Sequence, residues 1–235
     1  RLMSAQIART MLRDLAAPLW LRRRFILHRQ RRVYLHEDGV TRANGAAVEA
    51  LFLSTLEALE PALATRPYLF GARPCEADFG LFGSFFRHFS HDPTPHGVLR
   101  RHAPNTLAWI ARLWATTPES LVGAAPVASA PAELDPFLQE ANASYLPYLA
   151  ANMDAVLKGA ARVRADVKGG AFLTRPSRYH AHCLNALRRA FQNLSGTERS
   201  SVEVRLGPAT SILARPVEAI GPAPAGPAKP TDRTW

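Results

Sequence analysis

The chain has 235 residues, 47% of them hydrophobic, with a formal net charge of +10. That is long and apolar enough for one large domain or two small ones with a true core. No apolar run approaches the roughly 20 residues that cross a bilayer, and no secretory leader pattern opens the sequence, so a soluble protein is expected.

Two cysteines, Cys75 and Cys183, make no disulfide framework, and a reducing, cytoplasmic setting is the default. Of the 29 lysines and arginines only Lys158, Lys168 and Lys229 are lysine. Abundant arginine, alanine and proline together point to coding bias as much as to a binding surface. Nucleic acid and membrane are therefore not the expected partners. Residue 1 is Arg rather than Met, and the first residues read as mid-helix, as in a fragment or a truncated gene model.

From Ser4 to Tyr34, Ile7, Met11, Leu15 and Leu19 recur at four-residue steps, one face of a helix, with Pro18 placed to bend it. Arg22, Arg23, Arg24, Arg29, Arg31 and Arg32 follow. A basic helix of this kind binds anionic membranes or nucleic acid, or imitates a transit peptide; the plainer reading is a core-packed helix whose arginines face water. Asp38-Gly39 marks a turn. Val48, Leu51, Phe52, Leu56, Leu59 and Leu63 form the stripe of the next helix, which ends before Pro67, and Tyr68-Leu69-Phe70-Gly71 reads as a packed connector.

Cys75 sits where a helix cap belongs, with Asp78 three residues on. In a capping box the cap side chain accepts from the third helical amide and the third side chain reaches back. Asp78 also favours the positive end of the helix. A thiol is a weak acceptor, so Cys75 in place of a hydroxyl costs about 1 kcal/mol. Phe79, Phe82, Phe86 and Phe89 then recur at helical spacing, a stripe read as core. Asp92-Pro93 stops this helix, and Pro104 or Asn105 opens another with Leu107, Ile110, Leu113 and Trp114 on one side.

From Thr116 to Pro131 the composition turns to Ala, Pro, Ser and Gly, a linker or loose crossover. Two helical stretches follow, 132–143 and 144–161, with Pro147 in the first turn of the second. Val163 to Thr174 alternates around Lys168-Gly169-Gly170, a short hairpin. Pro176 opens a helix carrying Tyr179, Cys183, Leu187, Phe191 and Leu194. A last short helix runs from Thr197 to Gly207. From Arg215 to Trp235 the chain is rich in Pro, Ala and Gly without periodicity, and disorder is expected.

The series Leu69-Phe70-Gly71, Arg73-Pro74, Ala77-Asp78-Phe79, Phe82-Gly83, Asp92-Pro93-x-Pro95 and Ala103-Pro104 before Trp109 resembles, in that order and spacing, the C-terminal helical domain of bacterial glutathione transferase-like proteins. Tyr145-Leu146-Pro147-Tyr148-Leu149 and the stretch from Pro176 to Leu187 look like a C-terminal extension of one branch of them. The resemblance implies an all-α fold, a helical bundle followed by a helical extension with a small hairpin. The layout is a family-like domain over 1–116, a linker over 117–131, the extension over 132–214 and a disordered tail over 215–235.

In that family the helix cap, here Asp78 with Cys75, is structural. The apolar cosubstrate lies against the first and third helices, which points to Met11, Leu15, Phe82 and Phe86, each of which also suits plain core. Glutathione itself is held by a thioredoxin-like half, whose βαβ pattern this sequence lacks, so no catalytic residue is carried over. The resemblance thus implies a glutathione transferase-like protein lacking its glutathione-binding half. The whole protein would pass a thiolate to an electrophilic or reducible small molecule, and dimers are usual in the family. The alternative is a non-catalytic helical binding or scaffold module.

Other chemistry finds little support in the spacing. His88, His91, His96 and His102 match no zinc ligand pattern. In Tyr179-His180-Ala181-His182-Cys183 only His180 and Cys183 share a helix face. Cys183, on the apolar stripe, reads as an inert buried thiol. No metal site is assigned.

Overall fold

A computed structural model of the chain describes residues 2–125, 127 and 129–221. The helices are α1 (Leu2–Met11), α2 (Leu19–Arg29), α3 (Leu35–Glu37), α4 (Gly45–Thr65), α5 (Glu76–Ser84), α6 (Pro93–His102), α7 (Pro104–Ala115), α8 (Asp135–Glu140), α9 (Leu146–Leu157), α10 (Arg178–Gln192), α11 (Gly196–Leu206) and α12 (Thr210–Leu213). Among the described residues one sheet occurs, the hairpin of β1 (Val163–Val167) and β2 (Gly170–Thr174). The fold is thus mostly helical with a small hairpin. Lys168 and Gly169 at the hairpin tip have φ of 48° and 76°, the two left-handed residues that match the natural twist of a two-residue turn.

The chain divides into two compact units. One comprises the residues up to Gln139 with Val167–Gly170, the other Glu140–Asp166 with the residues from Ala171 on. In the first unit the N-terminal stripe does not follow a single helix. The chain leaves the helix at Met11, turns through Leu15 N–H to Leu12 O (3.2 Å) and Ala17 N–H to Leu15 O (2.7 Å), and restarts at Leu19 with Pro18 as its cap. Proline disfavours a helical residue before it and has no N–H to extend the ladder, so Pro18 divides the segment rather than bending it. The expected apolar face is lost with it: Met11, 68% exposed, and Leu15 face water.

The core of this unit gathers Leu56, Leu59, Ala62 and Leu63 of α4, Tyr68 and Leu69 of the connector, Phe85, Leu99, and Trp109, Ile110 and Leu113 of α7. Helix α7 begins with Pro104 and has no side-chain cap of its own. Glu60 of α4 supplies one: Oε1 accepts from Asn105 N–H at 2.8 Å, and Oε2 from Thr106 N–H and Oγ1, each at 3.0 Å. A carboxylate at the positive end of a helix satisfies orphan amides and opposes the dipole.

The phenylalanine stripe is corrected in part, and a π-helical turn at Phe85–Phe89 directly follows α5. Such a turn holds one residue more than an α-helical one and rotates the side chains that follow. Phe85, two turns after buried Asp78 on the same helix face, is the buried member, Phe82, Phe86 and Phe89 pack on the core edge, and Phe79, 60% exposed, lies outside it. The stretch after Thr116 is anchored: Ala72 N–H donates to Ala125 O at 3.2 Å, Val127 N–H to Phe70 O at 2.8 Å, and Arg66 pairs with Glu133 at 2.7 Å.

In the second unit α9 packs on α10, which also meets α12. Buried Leu146, Leu149 and Met153 of α9 and Ala181, Leu184 and Phe191 of α10 form its centre. The buried face of α10 therefore runs Ala181, Leu184, Asn185, Arg188, Phe191, not Tyr179, Cys183, Leu187, Phe191; Tyr179 and Leu187 are exposed and Cys183 is half-buried. An apolar pattern misses this face because two of its residues are polar and satisfied by backbone. Asn185 Nδ2 donates to Glu218 O (2.8 Å) while Glu218 N–H donates to Asn185 Oδ1 (3.0 Å). Arg188 Nε donates to Ile212 O at 3.2 Å and Nη1 to Pro216 O at 2.8 Å. Of the tail expected to be disordered, residues 215–221 are described and are pinned by these bonds and by Gln192 Nε2 to Arg215 O at 3.0 Å; residues 222–235 lie outside the described residues.

Candidate functional site

Asp78 is fully buried. Its Oδ1 accepts from Leu69 N–H at 3.0 Å and from Trp109 Nε1–H at 2.9 Å; its Oδ2 accepts from Cys75 N–H at 3.0 Å. One carboxylate thus ties the connector, the start of α5 and the middle of α7. The Cys75 sulfur faces the Asp78 amide in the box arrangement without making a full cap hydrogen bond, and the thiol instead directs its proton to Asp78 Oδ2 at 3.3 Å. Burial pushes the Cys75 thiol above its ordinary value, which disfavours a reactive thiolate. The connector ahead of it depends on Gly71, whose φ of 111° and 2.9 Å separation between a built Cβ and Val127 N leave no room for a side chain.

Above this hub lies an aromatic shelf. Phe82 stacks on Phe86 with centroids 5.1 Å apart, and Phe86 stacks on Trp114 at 4.5 Å with planes 11° apart. Phe82 and Phe85 also meet the edge of the buried Trp109. Trp114 is 67% exposed, so the shelf runs from the core to the surface. A cavity of about 390 Å³ opens between the start of α5 and the end of α7, lined by Arg73, Pro74, Phe79, Leu113, Thr116 and Leu121 among others. Its volume falls in the range of small-molecule sites, and Arg73 is its one charged lining residue.

Of the four residues taken for an apolar pocket, the structure brings Phe82 and Phe86 into contact. Met11 and Leu15 lie on the N-terminal segment facing water, and none of the four lines this cavity. Trp114, expected on one side of α7 with Leu107, Ile110 and Leu113, stacks on Phe86, a contact signalled only by its place one turn after Ile110. Glu60 gave no signal, because its partners lie 45 and 46 residues away.

Among the histidines, His96 Nδ1 lies 2.8 Å from Ser90 O and His91 packs edge-on against Phe86. His180 Nδ1 lies 2.7 Å from Tyr148 OH. Among the described residues, no group of three or more His, Cys, Asp or Glu side chains is arranged to hold a metal ion, and no helix is long and apolar enough to cross a membrane.

No curated protein and no solved structure matches the chain. Residues 37–112 match the family described as glutathione S-transferase, C-terminal domain. That span holds the Asp78 cap, the Phe82–Phe86 pair and Trp109, and it is this part of the chain that is similar to the glutathione S-transferase C-terminal domain.

Proposed function

We propose that this domain serves the acceptor side of a glutathione transferase-type reaction, in which a thiolate attacks an electrophilic or reducible small molecule. The observation that carries the reading is the aromatic shelf Phe82–Phe86–Trp114, built onto the Asp78–Trp109 hub and exposed at its outer end. A flat, electron-rich surface suits a planar apolar molecule, since stacked aromatic contacts add about 0.5–1.5 kcal/mol beyond area burial.

Glutathione, a peptide with two carboxylates, calls for several donors, and the cavity offers one charged group, Arg73. In this reading its binding and the lowering of its thiol pKa fall to a thioredoxin-like half, as the family resemblance implies. The family-like domain is taken to span 1–116, with 132–214 as its extension. A homodimer and a cytoplasmic setting accompany the reading.

The test is titration of the chain with a chlorinated dinitrobenzene while tryptophan fluorescence is followed. Saturable quenching that Trp114→Leu abolishes supports the reading. Absence of quenching in a folded chain favours the non-catalytic scaffold module instead. Retention of the chain on immobilised glutathione shows that the thiol site lies within these residues and removes the proposed division of labour.

A further inference from the structure

The Arg-rich N-terminal segment does not have the arrangement that a core-packed helix requires. In α2, Ile26 is buried and Leu19, Arg22, Arg23 and Leu27 are half-buried, while Trp20, Leu21, Arg24, Phe25, His28 and Arg29 are exposed. At about 100° per residue these six fall on one side of the helix. Trp20 is 67% and Phe25 53% exposed. The same character continues through the π-helical turn Gln30–Tyr34 into α3, where Arg31, Arg32, Val33, Tyr34 and Leu35 all face water. Two arginines are committed inward, Arg22 to Leu12 O at 2.8 Å and Arg23 to Ser4 Oγ at 3.2 Å. Of the few acids nearby, Asp14 is taken by Arg13 at 3.4 Å.

We infer that this face is a docking surface for an anionic lipid bilayer, with Trp20, Leu21 and Phe25 entering the headgroup and acyl boundary while Arg24, Arg31 and Arg32 meet lipid phosphates; Arg29 is held by the hydroxyl and ring of Tyr34. The inference goes beyond the transferase-type reading and does not depend on it. Charge selects the occupant. A symmetric second copy would set the same arginines against one another, and like-charge juxtaposition opposes such a contact. Single-stranded nucleic acid would use the arginines and aromatics but leaves Leu21, Val33 and Leu35 without a role. Aromatic and aliphatic side chains interspersed with arginine are what an interfacial helix uses.

The test is co-sedimentation of the full chain with phosphatidylcholine vesicles, with and without about one-third phosphatidylglycerol. Each arginine near an anionic surface contributes about fivefold in partitioning, so preference for the anionic vesicles by more than tenfold is expected. Arg24→Glu with Arg32→Glu abolishes that preference. Trp20→Ser with Phe25→Ser weakens binding to both vesicles, and Trp20→Phe retains binding but removes a blue shift of tryptophan emission. All these positions are exposed, and circular dichroism checks that the fold is kept. No binding to anionic vesicles at low salt overturns the inference. So does an oligonucleotide that displaces the chain from vesicles, or a dimer that Trp20→Ser converts to a monomer.

Discussion

The indole N–H of Trp109 donates to Oδ1 of Asp78 across 2.9 Å inside the first unit, with both side chains fully buried. Asp78→Ala removes the acceptor for this bond, for Leu69 N–H and for Cys75 N–H. A buried donor left unpaired costs about 1–3 kcal/mol, and the lost cap adds about 1 kcal/mol. A loss of about 2–4 kcal/mol in urea unfolding is expected. Asp78→Asn, which keeps one oxygen, loses less. An alanine variant as stable as the parent would show that the hub is not holding the domain together.

Cys75 is the weak half of the cap. Cys75→Ser places a true hydroxyl acceptor before the Asp78 amide and is expected to raise stability by about 0.5–1 kcal/mol, read as a higher denaturation midpoint with an unchanged slope. The thiol also gives a pH test in a Cys183→Ser background. Burial, the main cause, raises the folded thiol above its ordinary 9.0. Less thiolate is then present at any given pH, and alkylation by iodoacetamide reaches half its maximal rate at a higher pH than in the urea-unfolded chain. Because the folded state holds this proton more tightly, its contribution to stability is full below the unfolded thiol's pKa and is lost as pH rises through the folded one. Coincident alkylation profiles would contradict the burial argument.

Glu60 caps α7 from another helix. Glu60→Ala strips two backbone amides of their acceptors and is expected to cost about 1–2 kcal/mol, the range of a strong cap. Glu60→Gln retains one oxygen and falls between. Hydrogen exchange provides the local readout: the amides of Asn105 and Thr106 lose protection first. Unchanged protection there would mean that the carboxylate only borders the helix.

In the second unit, Arg188→Ala leaves the carbonyls of Ile212 and Pro216 without their donor. A loss of about 2–3 kcal/mol is expected. Cleavage by a Glu-specific protease after Glu218 should accelerate in this variant and in Asn185→Ala, which frees Glu218 directly. If cleavage proceeds at the parental rate in both, the segment is held by something other than these two side chains.

Much of the fold was legible because its signals are local. Lys168-Gly169 between alternating residues yields the hairpin, Pro104 opens α7, and the periodicity of α4 places Leu56, Leu59 and Leu63 in the core. The family resemblance rested on the residues around Asp78, which fall inside the matching span. What stayed hidden was set by phase and by distance. A four-residue repeat cannot show that Pro18 divides the helix it appears to continue. A stripe read from Phe79, Phe82, Phe86 and Phe89 passes over Phe85, which shares the helix face of the buried Asp78. Hydropathy cannot find a buried face made partly of Asn185 and Arg188.

Among the described residues, three π-helical turns, at Gln30–Tyr34, Phe85–Phe89 and Ala141–Tyr145, adjoin regular helices. Since each carries one surplus residue, loss of a single codon there would restore ordinary winding and swing every downstream side chain by about a quarter turn. At Phe85–Phe89 that step alone would redistribute which ring seals the interior and which one is offered outward. Descendants of this domain thus have a minimal genetic route to remodel its outer aromatic surface while the aspartate anchor beneath it stays in place.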